Sequence, residues 1–169
     1  DASMAGDKSS FEVIHPPNKL KDLVGQDSKI DPRMIEKAEE AVEQYVESVD
    51  LSEVCKPQMD QLGQFLDDIA GGKTIGDLHD EIYGVMHDLR GQGNTFGYPL
   101  VARIAASMNF YLENPAAAKS DASEHDVLRT HVDSLRGVLA NKLKGDTGAI
   151  GQQIARGLEE ITGVKVDAG

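Results

Sequence analysis

Aromatic residues are scarce in this chain. Tryptophan is absent, and Phe and Tyr together supply only 5% of its 169 residues. Sheets are built largely from aromatic and β-branched residues, so this shortage argues against an all-β fold. Alanine, leucine and glutamate are abundant instead, which favours packed helices. The composition therefore predicts an all-α protein.

Cysteine and long apolar runs are also missing. The single cysteine, Cys55, excludes an internal disulfide and any multi-cysteine metal site, which fits a reducing cytoplasm. We expect it to be a small, half-buried helix residue. No segment approaches the roughly 18 apolar residues that a membrane span needs, and no charged-then-apolar leader is present. A cytoplasmic protein is the resulting expectation.

Basic residues are outnumbered by acidic ones. The chain has 17 Lys and Arg and 29 Asp and Glu, which gives a formal net charge of −12. Such a chain repels phosphate backbones and anionic headgroups, so nucleic acid and membrane surfaces are not expected as partners. The expected partner is another protein.

Helical periodicity divides the chain into three parts. Residues 1–30 mix small and polar residues with a proline pair and are predicted to form an extended N-terminal arm. Asp31-Pro32, an N-cap followed by proline at the first helical position, opens a periodic region that extends to residue 145. This region predicts an up-and-down four-helix bundle. Residues 146–169 predict an additional terminal helix that packs on the bundle.

Individual residues indicate where the helices should begin and end. Pro57 should kink or interrupt the chain after the first helix. Thr74 and Asp77 have the spacing of a capping box, with Asp in the place of Glu, and should start the next major helix. Gly93-Asn94 should loosen the end of that helix, and Gly97 with Pro99 should start the next one. Asp121 or Ser123 is expected to cap the fourth.

The most informative stretch is residues 87–97, HDLRGQGNTFG, where a histidine is accompanied by a cation and three glycines. At about 3.6 residues per turn, five other residues share a helix face with His87. They are Tyr83, Gly84, Arg90, Gly91 and Asn94. Glycine costs roughly 1 kcal/mol relative to alanine inside a helix, so the two nearest glycines indicate a need for clearance. The apolar seam through Val85 and Leu89 lies opposite, so His87 should face outward.

This run resembles the phosphorylation motif of histidine phosphotransfer (HPt) domains, HxLKGxxxxxG. Its TFGY ending is similar to the first, phosphorylated domain of chemotaxis histidine kinases. Six positions match, namely His87, Leu89, Arg90, Gly91, Gly97 and Leu100. The resemblance is strong over residues 75–113 and only architectural elsewhere, where it agrees with the family's four-helix bundle. The chain departs from the pattern at Arg90, usually lysine, at Gln92, usually small, and at Gly84, where glycine is uncommon.

The resemblance implies a histidine-containing phosphotransfer protein of a two-component phosphorelay. Phosphorylated His87 would exchange its phosphoryl group with the aspartate of a response-regulator receiver domain, and a histidine kinase is a further candidate partner. Arg90 would hold phosphate oxygens, while Gly84 and Gly91 would let the receiver approach. The Mg²⁺ of this scheme belongs to the receiver, so no cofactor or metal of its own is expected. Without an ATP-binding motif or kinase core, the protein is expected to be a phosphocarrier and not an enzyme.

Lesser roles are expected of the other residues near His87. Asn94 would orient the imidazole, and Tyr83 and Met86 would add contacts at the rim. Gln92 points away from the histidine stripe and bears on the choice of partner. His131, near an apolar seam, is expected to be a partly buried, hydrogen-bonded core histidine.

Two other functions are compatible with the sequence. His79, His87-Asp88 and Asp133 suggest the dispersed ligands of an HD-type metal phosphohydrolase, although Asp88 points about 100° away from His87 on a helix. The second alternative is a non-phosphorylated HPt-like adaptor that binds or sequesters a response regulator or kinase.

Overall fold

The computed structural model describes residues 31–117 and 121–163, and all regular structure within these ranges is helical. This confirms the all-α prediction, whereas the predicted arm over residues 1–30 lies outside the described residues. A short 3₁₀ turn at Pro115–Ala117 follows the fifth α-helix. The α-helices are α1 (Pro32–Ser48), α2 (Leu51–Val54), α3 (Lys56–Ala70), α4 (His79–Thr95), α5 (Pro99–Glu113), α6 (Glu124–Ala140) and α7 (Gly148–Thr162).

The chain divides into two compact units, Asp1–Glu40 and Ala41–Gly169, with the boundary inside α1. In the first unit, the described residues are Asp31 and the beginning of α1. The Asp31 carboxylate accepts a hydrogen bond from the Arg33 amide at 3.0 Å, as expected for an N-cap before a proline. Helix α1 buries none of its side chains.

In the second unit, Pro57 separates two helices as predicted. Helix α2 ends at Val54, and Pro57 lies in the first turn of α3. Proline is tolerated there because the first amides of a helix have no intrahelical acceptor. The interruption is therefore a new helix start and not a kink.

Helices α3 to α6 pack in a closed series of neighbours, α3 on α4, α4 on α5, α5 on α6, and α6 on α3. Helix α7 packs against α5 and α6. The contact between α4 and α5 is the most extensive of these. The core between the helices includes the fully buried Leu62, Ile82, Met86, Leu89, Ile104, Met108, Leu128 and Leu135. No helix in the described ranges has the length and apolar character required to cross a membrane.

The entrance to α4 contains the predicted capping box. The Thr74 amide donates to the Asp77 carboxylate at 2.8 Å, and the Asp77 amide donates to the Thr74 hydroxyl at 3.1 Å. Hydrogen bonds from the backbone and the side chain of Thr74 lower the pKa of the Asp77 carboxylate. The helix begins later than predicted, at His79, because residues 74–79 form tight turns in which the amides of residues 77–79 each bond the carbonyl three residues earlier.

The predicted loosening of α4 at Gly93 is wrong. The helix continues to Thr95, and Gly93 is buried. A Cβ atom on Gly93 would lie 2.8 Å from the Ala102 backbone nitrogen and 2.9 Å from the Tyr98 carbonyl oxygen. This glycine therefore permits the close approach of α4 to α5. The chain turns only at Gly97, whose φ of 76° favours glycine.

Of the two candidate caps for α6, Ser123 is the one used. Its hydroxyl accepts a hydrogen bond from the Asp126 amide at 3.1 Å. The first residue of α6, Glu124, also accepts a hydrogen bond from the Ile75 amide at 2.9 Å. The start of α6 is thereby tied to the turns that lead into α4.

His131 is buried more completely than expected, with no exposed surface. Its Nδ1 lies 2.7 Å from the Val127 carbonyl oxygen and its Nε2 lies 3.0 Å from the Ser107 hydroxyl. A carbonyl can only accept, so Nδ1 carries the proton and Nε2 accepts from Ser107. Burial lowers the pKa of His131 to about 4, although the bond to Val127 opposes this.

We expect His131 to make the folded protein sensitive to mild acid. The unfolded histidine binds a proton near pH 6.5, whereas the folded one does so only near pH 4. Stability should therefore fall as the pH drops through this window, by roughly 3 kcal/mol in total. Urea unfolding at several pH values measures this loss. A His131→Gln variant should show a shallower slope, and an unchanged slope would contradict the assignment.

Candidate functional site

The candidate site is the outer side of α4, which we call the His87 face: Tyr83, Gly84, His87, Arg90, Gly91 and Asn94. Helix α4 buries Ile82, Val85, Met86 and Leu89 against its neighbours. His87 lies on the other side and is exposed. The outward orientation expected from the apolar seam is therefore present.

The two glycines of the His87 face have open space beside them. A Cβ atom on Gly84 or Gly91 would meet no atom within 4 Å. Packing within the described part of the chain therefore gives no reason for glycine at either position, in contrast to Gly93. What both glycines do provide is a bare helix backbone one turn before and one turn after His87.

Arg90 is exposed one turn beyond His87, and it makes no hydrogen bond or ion pair with any residue in 31–117 or 121–163. Its charge lowers the pKa of Tyr83, although this effect is smaller than the opposing ones. An uncommitted guanidinium can bind an incoming anion without first losing an internal partner.

Tyr83 is engaged with residues other than His87. Its hydroxyl donates to the Glu113 carboxylate at 2.9 Å, and its ring stacks on His79 with centroids 6.2 Å apart. The hydrogen bond to Glu113 is the main cause of a raised pKa of Tyr83. Its backbone carbonyl accepts a 3.4 Å hydrogen bond from Asn109. Tyr83 therefore forms a fixed edge of the His87 face.

Asn94 is exposed two turns beyond His87 and makes no hydrogen bond to the imidazole. It lines a groove of about 700 Å³ beside the His87 face, which we call the Arg90 groove. Arg90 and Asn94 of α4 form one side, Leu100 and Arg103 of α5 the floor, and residues 145–152 the other side.

Met86 and Gln92 both face inward, which contradicts the expected rim contact of Met86 and agrees with the expected direction of Gln92 away from the histidine stripe. Met86 is fully buried in the core and adds nothing to the rim. Gln92 is half-buried, and its side-chain oxygen accepts a hydrogen bond from the Cys55 thiol at 3.2 Å. Cys55 itself is fully buried, and desolvation raises the pKa of its thiol to about 11. Gln92 thus links α4 to the α2–α3 junction.

The alternative metal site is not formed. No three His, Cys, Asp or Glu side chains come together in the described ranges in a way that would hold a metal ion. His79 contacts Asp80 at 2.9 Å, and Asp133 pairs with Arg129 and Arg136. The arrangement gives no support to an HD-type phosphohydrolase.

Sequence periodicity did not identify the far side of the Arg90 groove. Residues 145–152 belong to the loop before α7 and to its first turn, more than fifty positions beyond Arg90. Their one local signal is the frequency of glycine at 145, 148 and 151. Glycine spacing of this kind indicates a turn and a helix start, and it carries no information on which surface they adjoin.

Comparison with known proteins gave no relationship: no family model matches the chain, and no curated protein and no solved structure matches it.

The contrast between Gly91 and Gly93 predicts opposite effects of the same substitution. Gly91→Ala adds a methyl group to open space on a helix and should stabilise the protein by about 0.5–1 kcal/mol. Gly93→Ala forces α4 away from α5 and should destabilise it by about 1–3 kcal/mol. Urea unfolding of the two variants beside the wild type measures both. Loss of stability in Gly91→Ala would show that this glycine serves packing.

Proposed function

We propose that this protein is a histidine-containing phosphotransfer protein, in which α3 to α6 form an HPt-like four-helix bundle and His87 carries the phosphoryl group. The observation that carries the proposal is the combination on one outer helix face: an exposed imidazole, open backbone at Gly84 and Gly91, and the uncommitted cation of Arg90. The motif of residues 87–97 supports the same function.

The proposed reaction needs little from this chain beyond access to one nitrogen. A lone pair on a neutral His87 imidazole attacks the phosphorus of an aspartyl phosphate on a receiver domain. A nitrogen–phosphorus bond forms, the phosphorus–oxygen bond to the aspartate breaks, and the carboxylate leaves with the bonding electrons. The reverse reaction returns the phosphoryl group. The Mg²⁺ that neutralises charge in this reaction is supplied by the receiver.

Arg90 is proposed to bind the phosphoryl oxygens in flight. Phosphoryl transfer depends mainly on in-line positioning and on stabilisation of negative charge. A guanidinium one turn from His87 can place two N–H donors towards such oxygens. Because Arg90 has no internal partner in the described structure, this interaction competes with none.

The glycines are proposed to serve the approach of the receiver. A receiver must bring its aspartate to bonding distance of the imidazole, which requires two protein backbones to come unusually near. Side chains at positions 84 and 91 would extend into the space on either side of His87. Their absence leaves that space to the partner.

The phosphorylated residue is tested directly by labelling. The protein is incubated with a receiver domain carrying labelled aspartyl phosphate, and acid-labile, alkali-stable phosphate is followed. The wild type should acquire label, His87→Gln should not, and the control His125→Gln should label like the wild type. If the wild type binds the receiver without acquiring label, the protein acts as a non-phosphorylated adaptor and the carrier function is refuted.

A substitution at Gly91 tests whether the open space beside His87 is needed for phosphotransfer. Gly91→Leu should fold normally because leucine is a good helix former, yet it should slow phosphotransfer at least about tenfold by occupying the approach path. Gly157→Leu is the matched control, since Gly157 is also a helical glycine with open space beside it, on α7. Circular dichroism checks folding, and rapid-quench assays give the rates. Equal rates for the two variants would refute the role of clearance.

A further inference from the structure

The Arg90 groove is formed by two consecutive helices and a third that is distant in sequence. Helix α4 supplies one side, the first half of α5 supplies the floor, and α7 with its preceding loop supplies the other side. At about 700 Å³ it is large enough for several side chains of a partner. The floor is apolar at Leu100, Ala102 and Ala106.

The side chains that line this groove are less acidic than the chain as a whole. The protein carries a formal charge of −12, but the groove is lined by two arginines, Arg90 and Arg103, and by one acid, Asp146. The Asp146 carboxylate already accepts a hydrogen bond from the Gly148 amide at 2.9 Å. Because Arg90 makes no hydrogen bond or ion pair within the described ranges and lies beside the apolar lining, the groove favours an apolar side chain flanked by a carboxylate.

The groove also lies close to the phosphorylated position. Arg90 lines it and is three residues from His87, which is about 4.5 Å along the helix axis. A standard protein interface covers about 800 Å² on each partner, equivalent to a disc of roughly 16 Å radius. Any receiver domain centred on His87 would therefore cover at least part of the groove.

We propose that the Arg90 groove is the second docking site for the receiver domain, and that it takes an apolar residue of the receiver flanked by a carboxylate. This inference rests on the proposed phosphotransfer function. Helix α7, which packs outside the closed series α3 to α6, thereby becomes part of the recognition surface. Its contribution selects among receivers without taking part in the chemistry.

Adjacent glutamines on α7 provide the test. Gln152 lines the groove, whereas Gln153 is exposed on the same helix and does not line it. Gln152→Glu should weaken binding of a receiver that exchanges phosphate with His87 by about fivefold or more, because it repels the proposed carboxylate. Gln152→Lys should bind at least as tightly as the wild type. Gln153→Glu and Gln153→Lys should stay within about twofold of the wild type.

Titration calorimetry with the unphosphorylated receiver measures affinity, and sedimentation of the free protein measures its oligomeric state. Equal effects at 152 and 153 would overturn the docking proposal while leaving phosphotransfer intact. A change of oligomeric state in Gln152→Glu alone would assign the groove to a second copy of this chain and also overturn it. If no receiver exchanges phosphate with the wild type, the proposed function fails and this inference fails with it.

Discussion

The structure depends above all on the close contact between α4 and α5. Gly93 leaves no room for even a methyl group, since a Cβ atom there would lie 2.8 Å from the backbone nitrogen of Ala102. This contact determines which side of α4 is buried. With Ile82, Met86 and Leu89 on the inner side, His87 is left on the outer one. The exposure of the candidate phosphorylation site is thus a consequence of packing on its opposite face.

Both ends of α4 are tied to distant parts of the chain. At its entrance, the Ile75 amide donates to Glu124, the first residue of α6. Beyond its end, the Gly97 carbonyl accepts a 2.9 Å hydrogen bond from the Gly145 amide in the loop before α7. This second bond brings residues 145–152 near Arg90 and so closes the Arg90 groove. The groove and the orientation of His87 therefore depend on one supporting framework.

The polar groups near this framework fall into two kinds. Some are satisfied inside the protein, as His131 is by Val127 and Ser107. Arg90 and His87 instead remain exposed and make no hydrogen bond within the described ranges. A buried polar group without a partner costs free energy, whereas exposed groups retain water until a partner displaces it. The proposed phosphotransfer function uses exposed groups of the second kind, His87 and Arg90.

Much of the helical layout follows from local patterns. The breaks at Pro57 and Gly97, the capping box at Thr74 and the exposure of His87 are all predictable, because each depends on residues within a turn or two. Contacts with distant segments are what local patterns do not reveal: Gln92 points away from the histidine stripe as expected, but nothing local indicates that it reaches the Cys55 thiol. The error at Met86 is of another kind, because this residue lies four positions after Ile82 and three before Leu89 and so belongs to the apolar stripe of α4.

The sequence by itself therefore determined that the protein is helical, where most helices begin and end, and that one face of α4 presents His87 between two glycines. These properties arise from periodicity and capping over a few residues. Only the tertiary structure decided why Gly93 is required, that Gln92 reaches the Cys55 thiol and that α7 forms one side of a groove beside Arg90. Such properties depend on contacts between segments far apart in the chain, which no local pattern specifies.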